Sequence, residues 1–585
     1  MKGKSKWSLL LALVFVLSLF LSACSGGGGE TTNEGSSGNE GDSGTENKTG
    51  GDENKVETFN IAVASEIPTM DTSKGDDEVS FNQFSAAFEG LFTMNSKGEI
   101  VPAEATGMPE VKPVKVKVKD DKGKEVEKTY YQYTFHLRDG IVWSNGEPVT
   151  AEDYVYAWQR LIDPKRGATY SYLAPTLGLV NAAEIMNEDS DLYGKLDKLG
   201  VKAVDDKTLQ MTLVKKVPDK MLLSLMQFPS FFPIPKDFAE EQGDQYALEP
   251  ENLLFNGPYV MTEWKHNEGW TYKKNDKYWD KENVDLEEIH YKVVKEQSTR
   301  VNLYEVGKLD IVGLSSQYVK KYQDNPEFHT ALGTAVFYFM LNEDNKFLDN
   351  VNIRKALALS WNKKQFTDVL LNDGSIPAWF LVPKDFAMGP DGKDFRAKYG
   401  NFGEFNPEKA KEYWQKGLDE LGVDSIKLEV LAYPGKTVKD NISFVINQWE
   451  QNLPGFEATL NQQEFKVMLE KENSGQYQIA YAGWGPDYQD PMTFMDLWVT
   501  GGGHNDIGYS NPEYDKRIEY AKTHPQDAEG RWTKMQEAEK ILFEDQAIIP
   551  MYQEGSAYLL SKKVKNFANH PFGPDYTWKY WEIEE

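Results

Sequence analysis

Cys24 is the only cysteine among the 585 residues. A chain of this length with one thiol has no internal disulfide, no cysteine-based zinc site and no buried catalytic thiol to organise it. It must be held together by buried apolar surface, and with 40% apolar and 13% aromatic residues it has the composition of a globular protein that can bury a large core. The cysteine itself closes a leader: Lys2, Lys4 and Lys6 precede an apolar stretch from Trp7 to Leu21, which ends in Leu21-Ser22-Ala23-Cys24. That is the layout of an export signal, and its apolar stretch is shorter than the roughly 20 residues that span a bilayer. No later stretch is long or apolar enough for a transmembrane helix.

The tetrapeptide ending at Cys24 resembles the lipobox of bacterial lipoproteins, which implies residues 1–23 as signal peptide and a lipid on Cys24 as membrane anchor. An ordinary signal peptide with a leftover thiol is the alternative. Residues 24–55 follow as an acidic tether of Gly, Ser, Glu, Asn, Thr, Asp and Lys with nothing to bury. As a flexible coil it reaches roughly 30 Å from the membrane. The formal charge of -28 becomes about -31 without the leader's lysines, which argues against nucleic acid or anionic lipid headgroups as partners of the general surface.

Order is expected from Val56. Thr58 to Ala64 has strand-like content and is followed by the turn residues Pro68 and Asp71. Alternating Lys and Val from Val114 to Val126, with further alternation from Tyr131 to Leu137, predicts a twisted antiparallel hairpin, and Val201 to Val214 repeats the pattern. Between them Thr150 and Asp153 form a capping-box start for a helix with Tyr154, Ala157, Trp158 and Leu161 on one side. Asn406-Pro407 starts another helix. Helices are also expected over 351–371, 438–453 and 526–544, and strands over 427–433, 477–483 and 547–552, so the C-terminal half reads as α/β.

The stretch Leu137 to Arg160, LRDGIVWSNGEPVTAEDYVYAWQR, resembles the signature of the extracellular solute-binding proteins that serve peptide and nickel ABC importers. Phe88-Glu89-Gly90-Leu91, Asn256-Gly257-Pro258-Tyr259, Asn275 to Trp279, Arg300 to Asp310 and Val351 to Leu357 agree in order, so the resemblance covers nearly everything from Val56 onward. It implies an α/β fold: a two-lobe, periplasmic-binding-protein-like clam-shell with an additional α+β domain inserted in the N-terminal lobe. The first lobe would comprise 56–90, 222–325 and 558–585, the inserted domain 91–221 and the second lobe 326–557.

The same resemblance points to Tyr481-Ala482-Gly483-Trp484-Gly485-Pro486-Asp487 as the segment that sets ligand class. In oligopeptide-binding relatives a Gly-Trp pair leads there to an aspartate that holds the peptide's N-terminal ammonium, which makes Asp487 the anchor. Small residues after a strand admit a ligand backbone, and a carboxylate at its end offers a charge-assisted partner. A receptor for many sequences uses the groups that every peptide has, its backbone amides and its termini. Gly483, Trp484 and Gly485 are candidates for these contacts on one lobe, with Asp76, Asp77, Glu78 and Val79 on the other. Asn256 and Asn342 are polar candidates, and Tyr481 stands where several short-peptide-binding relatives carry an arginine that receives the ligand's carboxylate. That departure allows ligands longer than di- or tripeptides. Gly485 replaces a cysteine of some relatives. Each residue also has a plainer reading: Asp487 and Asn256 as turn residues, Trp484 as a core aromatic.

No catalytic constellation stands against this. The seven histidines are scattered without zinc spacing, and there is no Walker A sequence, no strand-linked GxGxxG and no GxSxG elbow. The expectation is a monomeric, non-enzymatic receptor without cofactor or metal, held at the outer face of the cytoplasmic membrane. It would pass oligopeptides to the permease subunits of an ABC importer. Other solutes (a signalling peptide, dipeptide, nickel chelate or glycan fragment), a secreted hydrolase, and a surface adhesin or chaperone are the competing readings.

Overall fold

The structure, a computed structural model, describes residues 57–584 apart from 76, 120–123, 487, 569 and 571–575, and without the side chains of 119, 465 and 466. The expected leader, lipidated cysteine and tether lie outside the described residues.

The first strand, Thr58–Val63, turns Phe59 and Ile61 inward. It pairs in parallel with Glu288–Val293, and Gly269–Lys274 and Tyr259–Lys265 continue the sheet antiparallel. The C-terminal end returns to this sheet: the Trp578 and Trp581 rings lie 5.8 and 5.0 Å from that of Phe59. Asp310 fastens the strand to the next sheet by accepting the Asn60 N–H at 2.7 Å.

Glu110–Lys119 and Glu125–His136 form the expected hairpin, with Val118 opposite Val126, and Thr208–Leu213 and Val201–Asp205 complete a four-stranded antiparallel sheet. Helix Ala151–Leu161 packs on it through Tyr154, Ala157, Trp158 and Leu161. Its start is the reciprocal cap read from the sequence, with the Thr150 N–H donating to Asp153 Oδ2 at 2.9 Å. Two side chains of this helix tie the inserted region to the rest. The Trp158 indole N–H donates to the Phe231 carbonyl at 3.0 Å, and Arg160 pairs with Asp71 at 2.5 Å, both side chains only 5% exposed.

The largest sheet runs in the order Ile311–Leu314, Ile548–Leu560, Phe328–Leu341, Ile479–Trp484, Ile426–Ala432, Phe456–Gln462. Its last two strands are parallel, joined by helix Lys436–Asn452, whose Trp449 is fully buried against Phe339 and Phe456. Two sequence expectations need correction here. The helix over 351–371 is broken: Val351–Leu359 ends, Asn362 caps a new turn by accepting the Gln365 N–H at 2.9 Å, and Phe366–Leu371 is wound as a π-helix. An asparagine whose side chain bonds the backbone ahead of it competes with helix continuation. The strand over 547–552 runs on to Leu560. Ile311–Leu314 pairs with it, so the segments between the lobes share one sheet. Their alternation continues without a shift in composition, and the sequence shows no border there.

Candidate functional site

The candidate segment is the end of strand Ile479–Trp484. Its pairing with Phe328–Leu341 runs from Ile479 opposite Leu341 to Trp484 opposite Val336. Its other edge pairs with Ile426–Ala432 only at Ile479 and Ala480. From Tyr481 to Trp484 that edge has no ladder partner among the described residues. The side chains explain the local shape. Tyr481 turns into the core, where it stacks with Phe337 at 5.6 Å and shares a hydrogen bond with the Tyr552 hydroxyl at 2.9 Å. Gly483 has a packing reason to be glycine, because a Cβ there would meet the Phe337 ring at 2.8 Å. Gly485 is different, since a Cβ at that position would meet nothing within 4 Å. Both glycines are exposed.

Trp484 is half-buried, and its indole N–H donates to the Thr493 hydroxyl at 3.3 Å. Its ring lies 5.5 Å from His504, and His504 lies 6.3 Å from Tyr172 of the inserted region. From Tyr172 the rings continue to Tyr170 at 6.0 Å, to Phe228 at a further 4.8 Å and to Phe81 at 5.3 Å from Phe228. Phe81 sits on helix Glu78–Ala87, whose N-cap is Asp77: its carboxylate accepts the Ser80 N–H at 2.9 Å and the Ser80 hydroxyl at 2.7 Å. The two groups of candidates, 77–79 and 483–485, thus stand at opposite ends of one aromatic run. Glu78 and Val79 line a cavity with Val312, Ala557 and Tyr558 of the connecting strands. A second bridge lies nearby, where the Gln489 N–H donates to the Ser224 hydroxyl at 3.2 Å.

Three expected ligand residues are structural. The Asn256 amide donates to the Glu89 carbonyl at 2.8 Å and to Glu104 Oε1 at 3.0 Å, and its oxygen accepts the Glu89 N–H at 3.3 Å. It is 2% exposed, and every polar atom is spent internally. Around it lies a buried acidic network: Tyr278 and Trp279 donate to Glu89, and Tyr154 donates to Glu104, each at 2.6 Å. Burial raises both carboxyls above the usual range, that of Glu104 to about 8. Asn342 donates to the Gly475 and Tyr477 carbonyls at 3.1 and 2.9 Å and accepts the Asp344 N–H at 3.0 Å, which closes a turn. Tyr481 is the third, 1% exposed within the core. Asp76 and Asp487 lie outside the described residues. The residues that sequence reasoning missed are Phe81, Tyr170, Tyr172, Phe228 and His504. The only signal is the run Gly501-Gly502-Gly503 before His504, whose residue types predict a flexible loop and carry no chemistry. Among the described residues, no group of three or more His, Cys, Asp or Glu is placed to hold a metal ion.

Comparison with known proteins bears on all of this. Residues 99–506 match a family model described as bacterial extracellular solute-binding proteins, family 5 Middle. The dipeptide-binding protein DppE of Bacillus subtilis (strain 168) is 31% identical, covering 87% of this chain and 89% of its own. The oligopeptide-binding protein OppA of the same organism is 32% identical over 96% of both chains. The crystal structure of the substrate-binding domain of an oligopeptide ABC transporter from Bacillus anthracis str. Ames superimposes with a TM-score of 0.74 at 39% identity, covering 91% of this chain and 99% of that one. The expected two-lobe α/β architecture is therefore borne out.

Proposed function

The chain belongs to family 5 of the bacterial extracellular solute-binding proteins, a family of receptors and not of enzymes, and from that premise we propose that its solute is an oligopeptide held between the lobes and handed to an ABC-type permease. The observation that carries this is the edge of strand Ile479–Trp484 beyond Ala480, which has no ladder partner among the described residues and lies beside the exposed Gly483 and Gly485. A sheet edge with free backbone N–H and C=O groups takes an extended peptide as an added strand, which is independent of the peptide's sequence. The relatives named for dipeptide and oligopeptide binding support the same class.

In this reading Gly483, Trp484 and Gly485 supply main-chain contacts, Asp487 holds the ligand's ammonium, and Glu78 and Val79 approach from the opposite lobe. Lobe closure around the ligand brings the aromatic run together, and the closed form is what the permease recognises. Tyr481 is engaged with Tyr552 and no arginine stands at its position, so the ligand's carboxylate is received elsewhere and longer peptides fit. Export through the leader, lipidation of Cys24 and the tether would hold a monomer at the membrane's outer face, within reach of its permease.

Native mass spectrometry of residues 26–585, purified without refolding and followed by denaturing release, tests the reading. Co-purified peptides of a defined length range are the expected result. An empty protein that also gives no thermal shift with a peptide library contradicts it.

A further inference from the structure

A second cavity opens between the inserted region and the second lobe, with a lining that does not include strand Ile479–Trp484. Part of its wall is apolar, built by the buried Val217, Met221, Tyr488 and Met492, and its polar lining residues include Asp496. Four cations line it: Lys215, Lys216, Lys522 and Arg531. Two of them are neutralised. Arg531 makes a bidentate pair with Asp490, both bonds 2.7 Å, and Lys522 pairs with Asp496. Among the described residues, the side chains of Lys215 and Lys216 have neither an ion pair nor a hydrogen bond. The Asp496 and Glu519 carboxylates act on Lys215 through space without bonding it, so two adjacent lysines without a direct partner stand beside buried apolar residues.

The Lys215 stem runs alongside Gly178, with Cγ and Cε 3.5 and 3.6 Å from where a Cβ would stand at that residue. Lys215 is exposed; desolvation of its inner part, and then the Lys522 ammonium, lower its pKa from the ordinary value, while the Asp496 and Glu519 carboxylates act in the opposite sense. A lysine ammonium with no ion pair or hydrogen bond of its own is available to an arriving anion. Apolar wall and cationic rim together match one kind of guest, an organic carboxylate with an apolar body.

We propose that this cavity is a carboxylate site, with Lys215 and Lys216 receiving the anion and Val217, Met221, Tyr488 and Met492 its apolar part. The carboxylate comes either from a peptide that reaches out of the cleft or from a free carboxylic acid. Its lining excludes strand Ile479–Trp484, so octanoate binding is read apart from peptide binding at that edge.

The test is calorimetric titration of residues 26–585 and of K215Q/K216Q, whose substitutions fall on an exposed and a half-exposed side chain. Octanoate is the probe, octanol the uncharged control and inorganic phosphate the control for charge alone. Saturable octanoate binding, weakened about tenfold in the double variant and not matched by octanol or phosphate, is the expected result. A peptide that displaces octanoate as the free acid but not as the C-terminal amide identifies the peptide as the source. Displacement by neither peptide, with octanoate binding intact, identifies a free acid. Octanoate that fails to bind, or binds wild type and variant equally, overturns the proposal.

Discussion

Two segments stand out in this chain, 137–160 and 481–491, and the structure uses them in opposite ways. In the first, Trp143, Trp158 and Arg160 are buried, and their polar atoms are met by Asp153, Phe231, Asp71 and Ser73. In the second, Tyr481 is buried, but Gly483 and Gly485 are exposed and the strand edge beyond Ala480 has no ladder partner among the described residues. The segment with the densest family signature secures the inserted region to the first lobe. The sparser one leaves backbone groups free for a guest. Density of signature reports packing, which restrains many side chains at once, whereas a site for arbitrary peptides asks only for small residues and an open edge.

The largest effect expected from breaking this contrast is in the first segment. Arg160→Ala leaves Asp71 buried and unpaired, and costs about 3–5 kcal/mol of folding stability by denaturant titration, with affinity per folded molecule unchanged. A loss under about 1 kcal/mol would mean that water reaches the pair. Next is Asp487→Ala, which is expected to weaken peptide binding by about tenfold to a hundredfold, the worth of one charged hydrogen bond. N-acetylated peptides should lose a comparable amount on the intact protein and little more on the variant. Equal affinity for free and acetylated peptides removes Asp487 from the site.

The two glycines sharpen the comparison within the second segment. Gly483→Ala drives a methyl group into Phe337 and should cost about 1–3 kcal/mol of stability. Gly485→Ala meets open space and should leave the melting temperature unchanged while weakening peptide binding. If both variants alter stability alone, the glycines serve packing only. A pH dependence is also expected from the buried network beneath the signature segment. Burial holds the Glu104 carboxyl at about 8 in the folded protein, above the ordinary value of 4.5, so the folded state binds the extra proton. Its contribution is therefore present below the unfolded value and is lost as pH rises through about 8. Thermal melts of Glu104→Gln should fall less between these limits than those of the wild type, and parallel curves would show that Glu104 is ionised throughout.

Much of the fold was legible because it rests on local rules. The cap of Thr150 and Asp153, the Asn406-Pro407 helix start and the alternating hairpins all sit where the sequence puts them. Asn406 accepts the Lys409 N–H at 3.1 Å, as an N-cap should. The site was less legible. Asn256 and Asn342 have the chemistry of ligand contacts, but polarity does not reveal burial, and their partners lie far away in sequence. The aromatic run escaped altogether, since Phe81, Tyr170, Phe228 and His504 come from four separate segments, and no spacing links them.

The central claim is that a peptide adds as a strand to the edge beyond Ala480. Hydrogen exchange at the amides of residues 481–485, with and without a bound peptide of the length found by native mass spectrometry, tests it most directly. The account expects slowed exchange there and at 78–79, with little change in helix Ala151–Leu161. Unchanged exchange at 481–485 under saturating peptide would contradict it.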